Sequence, residues 1–77
     1  IKIYPNPAHD KIYFSNVEEN IYKGELINLD GKKLKSFQVS SRNQTIDIND
    51  LANGMYILKL ISNSKKTEEF SFIKQSN

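Results

Sequence analysis

The chain has no cysteine and no tryptophan, and only one histidine, one methionine, two prolines and three glycines among 77 residues. Without cysteine there is neither a disulfide framework nor a thiolate zinc site, so the usual staples of small domains are excluded and stability rests on packing. With a single histidine there is no second imidazole for a metal site and no Cys-His pair for nucleophilic catalysis. No apolar run approaches the roughly 18 residues that a membrane-spanning helix needs. Ile1-Lys2-Ile3-Tyr4-Pro5 also lacks the charged-then-apolar layout of a secretion signal. Helix formers are scarce as well: two alanines stand against ten isoleucines, four phenylalanines and four tyrosines, a set that suits pleated, half-buried surface.

What is present bounds the rest. A chain this short buries only about 60% of its unfolded surface, so nearly every apolar side chain is needed inside one domain spanning 1–77, with little left to line an apolar catalytic cavity. Eleven basic and nine acidic residues give a net charge of +2, too even a balance for a nucleic-acid binder. Nine asparagines and eight serines supply turns between many short strands.

Alternation of apolar and polar residues predicts seven strands. Ile1 to Ile3 forms the first and ends at Tyr4-Pro5-Asn6-Pro7, where two prolines remove amide donors. Lys11 to Ser15 places Ile12 and Phe14 inward and Tyr13 outward. Asn16 to Asn20 is a loop, and Ile21 to Leu29 runs up to Asp30-Gly31, a strong hairpin signal. In the returning strand, Lys32 to Val39, the phase slips between Leu34 and Phe37, which predicts a bulge near Ser36. Ser40 to Asn43 turns, and Gln44 to Ile48 turns Ile46 and Ile48 to one face. Asn49 or Asp50 is expected to cap a single turn over Asn49 to Asn53 that tucks Leu51 against the core, and Gly54 then reverses the chain. Met55 to Ile61 sets Tyr56, Leu58 and Leu60 inward, because the opposite phase would bury Lys59 without a partner. After the polar turn Ser62 to Lys66, Thr67 to Lys74 sets Phe70 and Phe72 inward. The fold expected is an all-β, antiparallel sandwich.

Sites of chemistry are sparse. His9 and Asp10 are neighbours on an extended chain and point apart, so His9 reads as a solvent-exposed side chain. Asp47, Asn49 and Asp50 do not match the spacing of a calcium loop and suit capping instead. Lys32, Lys33 and Lys35, with Arg42 beyond, lack an interleaved aromatic ladder and read as a lysine-guarded edge strand rather than a phosphate track. Tyr4, Tyr13 and Tyr22 are the residues available for a sugar platform, although only Tyr13 lies clearly on an outward phase. Asn43-Gln44-Thr45 fits a glycosylation sequon and carries no weight.

Taken in order, Tyr4-Pro5-Asn6-Pro7, Asn28-Leu29-Asp30-Gly31-Lys32, Ile46-Asp47-Ile48 with Leu51, Gly54-Met55-Tyr56-Ile57-Leu58-Lys59 and an apolar last strand ending in Lys74 form a pattern. It resembles the type A C-terminal sorting domain of the type IX secretion system of Bacteroidetes, the Por secretion system C-terminal sorting family. The likeness runs from Ile1 to Lys74. Departures are minor: Glu25 and Asn28 make the third strand more polar than in many members, and Met55 stands where a β-branched residue is usual.

The resemblance implies an Ig-like β-sandwich that serves as an address for a cargo domain lying N-terminal to Ile1. Its partners are then the type IX translocon, which delivers the cargo from the periplasm across the outer membrane to the cell surface or beyond, and a surface sortase that removes the domain. No nucleic acid, direct membrane insertion, cofactor, metal or catalytic residue is implied, and the chain is expected not to be an enzyme. Among the matched positions Pro5, Asn6 and Pro7 fix the approach to the sandwich, Gly31 closes the hairpin, Gly54 reverses the chain and Tyr56 fills the core. Lys59, Phe72 and Lys74, within or beside the last strands, are the candidates for translocon contact. The alternative reading is a carbohydrate-binding or adhesive module of a surface enzyme.

Overall fold

The alternating phases of the sequence resolve into two packed antiparallel sheets. A computed structural model describes residues 1–17 and 21–76, and among these the strands are β1 (Lys2–Tyr4), β2 (Lys11–Ser15), β3 (Tyr22–Asn28), β4 (Lys33–Val39), β5 (Thr45–Asp47), β6 (Gly54–Ser62) and β7 (Thr67–Lys74). One sheet has the order β1-β2-β5 and the other β4-β3-β6-β7. No helix forms among the described residues. The prolines fall where they remove no ladder bond, in the loop after β1, and both follow cis peptide bonds.

The core lies between the inner faces, as the period of two dictates. Ile12, Phe14 and Ile46 come from the smaller sheet, and Leu26, Val39, Tyr56, Leu58, Leu60 and Phe72 from the larger. Tyr13, the outward residue of β2, is exposed. Phe14 meets Phe37 across the sheets at a centroid distance of 6.1 Å, and Tyr56 stacks on its cross-strand neighbour Phe72 at 5.7 Å. Such pairs add to the burial term that holds a small domain together.

Three local expectations are corrected and one is filled in. The bulge lies at Leu34 rather than near Ser36: Leu26 faces Lys35 and Ile27 faces Lys33, so Leu34 is the extra residue and its side chain is left partly exposed. The hairpin expected at Asp30-Gly31 forms, and it closes through a three-residue loop, with Gly31 N–H donating to the Asn28 carbonyl and Asn28 N–H to the Lys32 carbonyl. Gly31 takes the positive φ of 84°, as the residue after a type I turn must in such a loop. The turn before β6 is capped by Asp47, whose Oδ1 accepts from Asn49 N–H at 2.8 Å, and not by Asn49 or Asp50; Leu51 N–H then donates to the Ile48 carbonyl. Gly54, with φ of 151°, opens β6 itself instead of forming a separate reversal. Of the loop expected over Asn16 to Asn20, Val17 is buried, and positions 18–20 lie outside the described residues.

Candidate functional site

The proline loop and the last strand, at opposite ends of the sequence, meet in one cluster of hydrogen bonds. Asn6 Oδ1 accepts from Ile73 N–H at 3.0 Å. The Ile73 carbonyl accepts from Ala8 N–H at 2.8 Å, and the Ala8 carbonyl accepts from Gln75 N–H at 2.8 Å. His9 Nδ1 donates to the Gln75 carbonyl at 2.6 Å, and Lys74 Nζ donates to the His9 carbonyl. The result is a short parallel bridge between Ala8 and Lys74 at the edge of an otherwise antiparallel sheet. Within the Tyr4-Pro5-Asn6-Pro7 motif it is the Asn6 side-chain oxygen that supplies the acceptor Ile73 N–H needs at this edge.

The same end of the sheet gathers further matched residues. Gly54 stands opposite Lys74, and Asn53 Oδ1 accepts from both the N–H and the hydroxyl of Ser76 at 2.9 Å. Tyr56 packs one row further in and its hydroxyl donates to the Ala52 carbonyl at 2.6 Å. Since Asn28 faces Tyr56 in register, the Gly31 hairpin projects from this end too. Hydrogen bonds of Asn6, Ala8, Asn53 and Lys74 thus tie the first loop, the turn before β6 and the end of β7 together, with Pro5 and Pro7 flanking Asn6 and Gly54 paired to Lys74.

The translocon-contact candidates divide. Phe72 is 1% exposed and Lys74 4% exposed. Phe72 fills the core, and Lys74 is turned into the clasp, where the His9 carbonyl takes the hydrogen bond that a buried ammonium requires. Lys59 alone is partly exposed, on the outer face of β6 between Glu25 and Glu69. Sequence phase placed Phe72 inward, and the same phase two residues on puts Lys74 inward as well. Gly24, by contrast, passed unremarked in the sequence, although a Cβ there would overlap the Phe37 ring.

The remaining candidates fall elsewhere. The basic strand is an edge strand whose lysines meet acids: Lys33 Nζ lies 3.2 Å from Glu25, and Lys35 Nζ donates to Asp50 at 2.6 Å and to the Asp47 carbonyl at 3.0 Å. The Lys35 hydrogen bond, partly offset by desolvation, holds the Asp50 carboxyl below its ordinary range, with the Lys74 charge a further small contribution. His9 is exposed, as the loop position implies. Tyr4 and Tyr13 stack at 5.4 Å on the outer face of the smaller sheet, while Tyr22 is buried in the core and cannot join them. Beneath the clasp His9, Asp10, Asn49, Lys74 and Ser76 line an open cavity of about 370 Å³. Among the described residues no group of three His, Asp or Glu side chains gathers as a metal site.

These features define a small two-sheet module whose last strand is fixed by its first loop. The chain belongs to the secretion system C-terminal sorting domain family, whose family model matches residues 2–74. It is a sorting signal of the type IX secretion class, and so concerns export toward the outer membrane or cell surface. No curated protein and no solved structure matches it.

Proposed function

We propose that the folded domain is read in the periplasm by components of the type IX translocon, that a cargo N-terminal to Ile1 follows it through the outer membrane, and that a surface sortase then removes it. The bond-breaking and bond-forming steps belong to those partners, and this domain supplies recognition and no catalysis. The family match over residues 2–74 carries the reading. The clasp supports it: an address must persist as one shape in transit, and tying β7 to the proline loop holds the terminal strand in a defined place without cysteine. Fusion of the chain behind a periplasmic reporter tests it. The intact fusion is expected at the cell surface, whereas removal of Phe70 to Asn77 retains the reporter in the periplasm; normal export of the truncated fusion overturns the reading.

A second reading is kept by the Tyr4–Tyr13 stack, two exposed rings on one sheet face, which suits a carbohydrate-binding or adhesive module. Polysaccharide binding that is abolished by Tyr13→Ala supports this reading, and absence of binding by the parent chain removes it.

A further inference from the structure

The two halves of β7 differ on the side away from β6. Ile73 directs both backbone groups to that side, where Asn6 and Ala8 satisfy them. The β6–β7 register continues without a shift from Lys74 to Thr67, so strand alternation turns the N–H and C=O of Ser71, Glu69 and Thr67 the same way. Among the described residues these groups have no partner on that side. On the outer face Ser71 is small, and beside it Ile57, Glu69, Phe70 and Ser71 line a shallow cavity of about 230 Å³. The neighbouring row alternates in charge. Lys33 reaches Glu25, Glu25 faces Lys59 and Lys59 faces Glu69, so the row ends acidic at the open edge.

We propose that Thr67–Ser71 is a strand-addition site, and that its occupant is an extended segment of a partner protein carrying a Lys or Arg two positions from a large apolar residue. The inference rests on the export reading and names the surface through which the domain is recognised. Main-chain bonds to Thr67, Glu69 and Ser71 supply affinity, and alternate side chains supply selectivity. The apolar residue, opposite Ser71, reaches over that small side chain toward Ile57. The basic residue, opposite Glu69, completes the charge row. Charge also disfavours a second copy as occupant, because antiparallel pairing of β7 with itself about Glu68 or Glu69 sets carboxylates opposite one another.

Glu69→Pro removes an outward N–H that the sheet does not use, a position where an edge strand accepts proline. In the protein as the cell makes it, this variant is expected to melt within a few degrees of the parent by circular dichroism, yet to lose surface export as completely as a chain lacking the whole domain. Normal export of folded Glu69→Pro, when the domain-deleted chain is retained, overturns the strand-addition site alone. Normal export of the domain-deleted chain overturns the export reading, and this inference with it. If Glu69→Pro does not fold, Glu69→Lys repels the basic occupant from an exposed position, and unchanged export of that variant overturns the proposal. A parent dimer in sedimentation that Glu69→Pro separates assigns the edge to a second copy and likewise overturns it.

Discussion

β4 and β7 bound the same four-stranded sheet, and they are finished by different means. β4 is guarded along its length by residues near it in sequence: the Leu34 bulge twists it, Lys33 and Lys35 meet Glu25 and Asp50, and the Asn43 side chain donates to the Gln38 carbonyl. Among the described residues β7 is closed at its end, by residues more than sixty positions away, and its outward backbone groups from Thr67 to Ser71 have no partner. Edge strands are ordinarily blunted against pairing. A sheet that guards one edge with a bulge, ion pairs and Asn43 but ties down only the end of the other matches what the proposed strand-addition site on β7 requires.

The most damaging way to break the comparison is to take the core from beneath β7. Tyr56→Ala removes the ring stacked on Phe72 and the hydroxyl bonded to Ala52, and is expected to cost about 3–5 kcal/mol in a denaturant titration. A loss below about 1 kcal/mol would show that the ring does not hold the strand. Next comes Gly24→Ala, which strikes the β4 side. Its Cβ overlaps the Phe37 ring, and overpacking of this kind costs about 1–3 kcal/mol. Repeating the change on a Phe37→Ala background isolates the overlap, since the loss shrinks there if the ring is its cause.

The strands were legible because period-two alternation reports burial directly. Ile12, Phe14, Tyr56, Leu58, Leu60 and Phe72 all face inward as their phases require. Leu34 shows where this signal blurs: a phase slip reveals that a bulge exists, but which residue is extra depends on pairing with β3, a non-local fact. Lys74 shows the harder limit. Its charge marked it for the surface, while the acceptor that lets it be buried is the His9 carbonyl, 65 residues earlier. Asn6 was readable only as a motif letter, since its partner is Ile73. Strand phase turns Lys74 inward, but the partners that complete the clasp lie more than sixty residues away and no local pattern shows them. Gly24 did carry a local sign, because glycine inside a strand marks close approach by another group, here Phe37.

A smaller change sharpens the contrast within β7. Asn6→Ala deletes the acceptor for Ile73 N–H and is expected to cost about 0.5–1.5 kcal/mol. Amide hydrogen exchange gives the residue-level check. In the parent, Ile73 N–H is expected to exchange slowly and those of Glu69 and Ser71 quickly; in Asn6→Ala, Ile73 is expected to join the fast group while β6-bonded amides such as that of Phe72 stay protected. Slow exchange at Glu69 and Ser71 in the isolated parent would show that the open half is covered.

The smallest effect is expected on the guarded side, at Asp50. Its folded-state pKa is lowered from the ordinary 3.8, first by the hydrogen bond from Lys35. A depressed carboxyl binds protons less readily in the folded than in the unfolded chain, so its contribution is full well above 3.8 and disappears as pH falls through the lowered folded value. Because the Asp50 side chain is largely exposed, salt and water screen the pair heavily. Asp50→Asn should therefore reduce the melting temperature only slightly at neutral pH, and the gap from the parent should close on acidification below 3.8. A gap that persists unchanged in strong acid would mean that Asp50 acts through the shape of the turn after β5 and not through its charge beside Lys35, and β4 would then owe its protection to the bulge and to Asn43.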